Sequence, residues 1–240
     1  MQHFIINQEI SGKEIRILDK DILHQMQSVL RFKRGDEVMV MDGQGSKARG
    51  VIEELHKKGA VIRLDGHEVC KTPVWRLWLY CAISKKPATF ELICQKATEL
   101  GVTDIVPLIT SRCQVDILRK PERVEAIIRE ACEQCERCFV PRLHEPVRLQ
   151  DFLDESPGGM FLAGDARIYD KKLHDILRGS RLEREDVKLI IGPEGGLTDE
   201  ELAAVRAAGG GLFLLGETVL RMETAAIAAL SVLQFGGEWK

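Results

Sequence analysis

The chain has 240 residues, 45% hydrophobic and 30% charged, with a formal net charge of -3. This is an ordinary globular composition, sufficient for one large or two modest domains; no apolar run approaches the roughly 20 residues of a membrane span, and Met1-Gln2-His3-Phe4-Ile5-Ile6, without a charged head and long apolar core, does not read as a signal peptide. The charge excludes a nucleic acid held by bulk attraction, which leaves a local basic patch, and seven cysteines, an odd number, read as reduced cytoplasmic thiols rather than a disulfide framework.

Residues 1–72 read as a small β-barrel. Short apolar runs at 14–18, 36–41, 48–52 and 60–64 are separated by turn signals at Asp42-Gly43 and Lys58-Gly59. The one helix expected there runs from Asp21 to Leu30. Arg31, Lys33 and Arg34 follow it, as cations that complement a helix end or as phosphate contacts.

Lys71-Thr72-Pro73 is the expected boundary, and residues 73–240 form the second domain. Strands are expected at 75–82, 104–109, 160–163, 187–191 and 212–215. Helices are expected at 88–100, stopped by Gly101, at 121–138, opened by Pro121, and at 223–234. A further helix starts at Thr198, which with Glu201 forms a capping box. Strands alternating with helices imply an α/β fold, its mainly parallel sheet covered on both faces.

The stretch from Lys188 to Ala229 carries the strongest chemical signal. Two strands each run into a glycine-containing loop that feeds a helix, where α/β proteins bind ligands. Gly192-Pro193-Glu194-Gly195-Gly196 matches neither G-x-x-x-x-G-K-S/T nor G-x-G-x-x-G, so spacing leaves a ligand loop and a tight turn both open. Glu194 could accept from a ribose hydroxyl, an amine or a base edge. Cys132, Cys135 and Cys138 are spaced as C-x-x-C-x-x-C, but a regular helix fans such thiols apart, and they read as thiols rather than metal ligands. Glu130, Gln134 and Arg137 share a polar face of that helix: solvated, or a dimer or RNA surface. The last helix is apolar nearly all round, which suits a core helix or a dimer interface.

The segment Ile191 to Thr198 with Glu201, then Leu215-Gly216, then Leu220-Arg221-Met222-Glu223-Thr224-Ala225-Ala226, resembles the 16S ribosomal RNA uracil-N3 methyltransferases of the SPOUT class. Val29-Leu30-Arg31 with Gly35-Asp36, the run Gln95 to Val102, and Glu130-Ala131 with Glu133-Gln134 extend the resemblance over nearly the whole chain. Ser111-Arg112-Cys113 departs from it, where an acidic residue usually precedes the arginine, and so does Glu217-Thr218.

The resemblance implies a PUA-like RNA-binding β-barrel over 1–72 and a SPOUT α/β domain with a C-terminal trefoil knot over 73–240. It also implies S-adenosylmethionine as cofactor and a homodimer; the cysteine usage leads to the expectation of a cytoplasmic location, and the histidine and cysteine spacing to that of no metal. The reaction implied is methylation of N3 of a uridine in 16S rRNA, free or in the assembled small subunit. Cofactor contacts are implied at Ala163, Gly164, Ile191, Gly192, Pro193, Glu194, Gly195, Gly196, Leu215, Gly216, Leu220, Arg221, Met222 and Thr224. RNA contacts are implied at Arg31, Lys33, Arg34 and Lys96, and a catalytic role at Arg221; for the base that takes the proton, Glu194, a water chain and the rRNA itself all stay open. Uridine N3 carries a proton at neutral pH, so the site must remove it and stabilise charge on O2 or O4. Arg221 suits that charge unless Glu217 or Glu223 occupies it as an ion pair. Action on transfer RNA, and a non-catalytic RNA-binding module, are the alternatives.

Overall fold

The computed structural model describes residues 1–73, 75–155, 157–179 and 186–236. Its elements begin with β1 (Gln2–Ile5), β2 (Glu14–Ile17), α1 (Lys20–His24), a π-helical turn (Gln25–Val29), β3 (Glu37–Met41), β4 (Ser46–His56) and β5 (Gly59–Val69). Next come β6 (Leu77–Ala82), α2 (Pro87–Glu99), β7 (Asp104–Ile109), α3 (Pro121–Cys135), β8 (Arg142–Leu143), β9 (Val147–Arg148) and α4 (Leu149–Asp154). The chain continues through β10 (Met160–Gly164), β11 (Lys171–Lys172), α5 (Leu173–Gly179), β12 (Val187–Ile191), α6 (Asp199–Ala207), β13 (Gly211–Leu214) and α7 (Met222–Phe235).

Two compact units result: Met1–Thr72 with Arg129–Val140, and Pro73–Ile128 with Pro141–Lys240. In the first, five strands lie in the order β1-β3-β4-β5-β2, antiparallel except for the parallel β1–β3 pair. Alternate residues such as Ile15 and Ile17 of β2 and Val38 and Val40 of β3 share one core with Phe4, Met26 and Ile62. Register shifts at Lys47/Arg49 and Ile52/Glu54 let the long β4–β5 hairpin bend round that core.

The helix expected at 21–30 is interrupted. Asp19 caps α1 by accepting from the N–H groups of Asp21 and Ile22. The chain then widens into the π-helical turn, and Arg31 follows with φ 56°.

Residues 129–140 explain why a contiguous cut after Thr72 is incomplete. Glu133 accepts from the Ile5 N–H at 2.8 Å, and Val140 N–H bonds the Gly43 carbonyl. A Cβ on Gly45 would lie 2.5 Å from the Phe139 ring, so that close approach needs glycine. α3 ends at Cys135, Glu136 adopts φ 62°, and Arg137 therefore lies beyond the helix face expected for it.

The reading of every cysteine as a free thiol is also corrected. Cys70 and Cys138 form a disulfide, with Cα atoms 6.4 Å apart. Both flank the same turn: Cys70 N–H bonds Gly45 O, and Gly45 N–H bonds Cys138 O. Cys132 is fully buried, and burial pushes its thiol up to about 12; Cys135 is half-buried, in no disulfide, and its thiol donates to the Cys132 carbonyl. The three spaced cysteines thus have three different environments.

The second unit holds a sheet ordered β11-β13-β10-β12-β6-β7-β8, with β9 also on β7, and every pair is parallel. One face packs Tyr80, Ile190 and Leu212 against Phe152 of α4 and Leu202 and Val205 of α6. On the other side α7 packs against α2, α5 and β12. The continuous apolar strand Leu189-Ile190-Ile191 is buried because both faces are covered.

Candidate active site

β6, β10, β12 and β13 run parallel, so their carboxyl ends gather at one edge of the sheet. The loops there line an open cavity of about 820 Å³ with residues from Lys85 to Ala225. Its size suits a ligand of cofactor dimensions.

Two loops make most of the wall. The first, 192–197, leaves β12 and enters α6. Thr198 accepts from Glu201 N–H while the Glu201 carboxylate accepts from Thr198 N–H, which fixes where α6 begins. Arg112 Nη1 donates to the carbonyls of Gly195 at 2.8 Å and Leu197 at 2.9 Å. Ser111 N–H donates to Glu201 Oε1 at 2.7 Å. The departure at Ser111 thus leaves the loop clamp intact, because the main chain makes that contact. On the other side Ser84 Oγ donates to Glu194 Oε1 at 2.6 Å.

The second loop, 215–221, leaves β13 and enters α7. The N–H groups of Gly216, Thr218 and Leu220 donate to no group among the described residues. These three residues line the cavity. Open main-chain donors on an apolar wall that includes Ile191, Leu215 and Met222 fit a nucleoside-type cofactor, whose polar edges need partners. A Cβ added to Gly216 meets nothing within 4 Å, so glycine leaves that part of the cavity open.

The lining carries both signs of charge: Lys85, Lys86, Arg112, Arg167 and Arg221 against Asp165, Glu194, Asp199 and Glu223. Asp165 Oδ1 accepts from the N–H groups of Arg167 and Ile168, closing the turn after β10. Arg221 precedes the first residue of α7, is exposed, and makes no ion pair with Glu217 or Glu223. Burial raises the Cys81 thiol well above its ordinary value, with the Glu194 carboxylate adding to the effect.

Most of the expected cofactor residues meet here: Gly164, Ile191 to Gly196, Leu215, Gly216, Leu220, Arg221 and Met222 all line the cavity. Ala163 is instead packed in the core beside Ile190, and Thr224 is exposed on α7 outside the lining. Lys96 lies on α2, where Glu99 binds its ammonium at 2.8 Å. Arg31, Lys33 and Arg34 are exposed in the first unit. Ser84, Arg112 and Asp165 escaped the sequence reading. Asp165 had a signal, a polar residue directly after a strand-ending glycine; the other two act across 83 or more positions of chain.

Comparison with known proteins gives this cavity a context. An RNA methyltransferase domain profile matches residues 70–234, and an RNA methyltransferase PUA domain profile matches residues 18–65. The chain is 31% identical to ribosomal RNA small subunit methyltransferase E of Rickettsia conorii, over 98% of this chain and 95% of that one. A putative methyltransferase of Legionella pneumophila, solved with bound cofactor SAM, superposes with a TM-score of 0.86 at 33% identity, covering 98% and 97% of the two chains. The ribosomal RNA small subunit methyltransferase E of Neisseria gonorrhoeae, bound to S-adenosyl methionine, gives 0.87 at 28% identity, with the same coverage. With the domain match, the full-length relative and the cavity at the carboxyl edge of the sheet all in agreement, the chain belongs to the ribosomal RNA small subunit methyltransferase E family of RNA methyltransferases.

Proposed function

We propose that this enzyme transfers a methyl group from S-adenosylmethionine to N3 of a uridine in small-subunit (16S) ribosomal RNA. The observation that carries the reading is the cavity itself, where the clamped 192–197 loop and the open main-chain donors of the 215–221 loop meet beside the Arg221 guanidinium, which has no ion pair among the described residues. S-adenosylmethionine, when bound, supplies a methyl group on a positively charged sulfur. The loops 192–197 and 215–221 hold and orient it. Arg221 stabilises the negative charge that gathers on a uridine carbonyl as the N3 proton leaves. Glu194 lines the cavity and accepts that proton. The pairing edge of the uridine must be free, so the nucleotide enters unpaired or flipped.

Arg31, Lys33 and Arg34 extend the RNA contact onto the first unit, a PUA-like barrel. Lys96 is a weaker candidate, because its charge is shared with Glu99. The order of loops and helices from β12 to α7 is compatible with the SPOUT arrangement and its trefoil knot, an exception to ordinary chain topology. The partly covered, largely apolar surface of α7 (Ile227, Ala228, Ser231) suits a homodimer. No helix among the described residues is long and apolar enough to cross a membrane, and a ribosomal substrate is consistent with a cytoplasmic location.

The test is methyl transfer to 16S rRNA, assembled small subunits and transfer RNA in parallel, with the modified base identified. N3-methyluridine in the first or second supports the reading. Methylation of transfer RNA alone, or cofactor binding without transfer, overturns it.

A further inference from the structure

Ser84 stands behind the cavity wall. It is 4% exposed, is not part of the cavity lining, and reaches the site only through its 2.6 Å hydrogen bond to Glu194 Oε1. Its place is fixed by the strand before it and the helix after it. Ile83 N–H bonds the Leu108 carbonyl, and Lys86 N–H donates to Ser84 Oγ at 3.2 Å just before Pro87 opens α2. A serine hydroxyl has one proton to give. With its oxygen accepting from Lys86, that proton is directed at Glu194.

The consequence is geometric. Glu194 is otherwise an exposed side chain in a glycine loop, free to take several rotamers. The neighbouring carbonyl of Gly195 is held by Arg112, which anchors the main chain. Ser84 anchors the side chain by one oxygen. The other oxygen, Oε2, makes no hydrogen bond among the described residues. A carboxylate with one oxygen fixed and the other open is preorganised to accept a proton at a defined place.

We infer that Ser84 is a positioning residue that holds the Glu194 carboxylate with its free oxygen available for the N3 proton. This rests on the reading of Glu194 as proton acceptor given above. In the step, the N3–H bond breaks, the proton passes to Oε2, and the electron pair stays on the uridine ring, ready for the methyl group.

The full-length enzyme is assayed as the wild type, Ser84→Ala, Ser84→Thr, Glu194→Ala and the double variant Ser84→Ala/Glu194→Ala. The measurements are single-turnover methyl transfer to 16S rRNA or small subunits, KM for the RNA, calorimetric affinity for S-adenosylmethionine, and thermal unfolding. Ser84→Ala is expected to lower the single-turnover rate about tenfold, the scale of one hydrogen bond to a charged group. KM and cofactor affinity should stay within about twofold. Ser84→Thr keeps the hydroxyl and should recover most of the rate. In the Glu194→Ala background, removing Ser84 should change nothing further, because its effect passes through that carboxylate.

A normal rate in Ser84→Ala, or losses from the two single variants that multiply in the double, would overturn the positioning role. If Glu194→Ala itself turns over normally, the proton-acceptor reading fails, and Ser84 falls with it. If Glu194→Ala is slow and Ser84→Ala normal, only the Ser84 inference fails. Should Ser84→Ala unfold, Ser84→Thr and the melting data decide. A folded Thr variant that is as slow as Glu194→Ala overturns the inference; one at near-native rate upholds it.

Discussion

Arg221 lies exposed at the cavity rim, with no ion pair to Glu217 or Glu223 among the described residues. Its charge is therefore available to a ligand. Free uridine is neutral, and charge reaches its carbonyl oxygens only as N3 loses its proton, so a guanidinium there acts more on the transition state than on binding. Arg221→Ala should reduce single-turnover methyl transfer on the order of a hundredfold, with RNA and cofactor affinity nearly unchanged. Arg221→Lys keeps charge without the planar fork and should recover the rate only in part. A loss that tracks a lowered melting temperature would instead make Arg221 structural. Glu133 gives a second prediction, about pH. It is 7% exposed, and burial raises its carboxyl above the ordinary value against the opposing hydrogen bond from Ile5. A carboxylate whose folded value is raised disfavours the folded state once ionised. Its contribution is thus most favourable at low pH and is lost as pH rises through the range above 4.5. Glu133→Gln keeps an oxygen for Ile5 N–H and carries no charge. Its melting temperature at pH 7 should equal or exceed that of the wild type, and the difference should vanish below the usual glutamate range. A clear loss of stability at pH 7 would show that the charge is needed there.

At the level of elements, the loop between β13 and α7 is where shape matters most. Gly216 has open space where a side chain would stand, so Gly216→Val should fold normally and fill part of the cavity. The expected result is an unchanged melting temperature with at least tenfold weaker calorimetric binding of S-adenosylmethionine; unchanged affinity would place the cofactor elsewhere. Gly192 would be the poorer test, since a Cβ there approaches Leu197 at 3.2 Å and disturbs the loop itself. This contrast also marks what the sequence could reveal. Periodicity located β12 and α7 within a residue or so, and the capping box at Thr198 and Glu201 was legible as a local motif. Strand ends running into glycine loops pointed to the cavity. Long-range pairings left no local trace. Ser84 meets Glu194 across 110 positions, and Cys70 meets Cys138 across 68. Short or irregular elements were equally silent: β8, β9 and β11 have two residues each, and the π-helical turn after α1 has the composition of an ordinary helix. The expected helix end at Cys138 failed because Glu136, a residue with no special preference for positive φ, leaves the helix in the left-handed region.

The whole chain carries a net charge of -3, yet its proposed substrate is a polyanion. Affinity must then come from a few exposed cations rather than from the molecule's mean field. Arg31, Lys33 and Arg34 are exposed in the first unit, and no carboxylate forms an ion pair with any of them among the described residues. Arg31 holds φ 56°, a conformation uncommon outside glycine, which the surrounding turn enforces through Phe32 N–H on the Met26 carbonyl. Exposed Val29 and Leu30 sit directly before it, adding apolar surface to the cationic one. If these cations meet phosphates, each releases counterions on binding, and the logarithm of affinity falls with the logarithm of salt by about 0.7 per contact on single-stranded RNA. Changing all three to Ala should weaken binding of 16S rRNA or small subunits and flatten the salt dependence by about two in slope. Calorimetric affinity for S-adenosylmethionine should stay normal, since its proposed site lies wholly within the other unit. The single-turnover rate at saturating RNA should stay within a few-fold of the wild type, because these residues act before the chemical step. An unaltered salt slope would return the three cations to a local structural role. A slope that flattens together with lost cofactor binding would mean that the substitutions had disturbed more than the RNA surface.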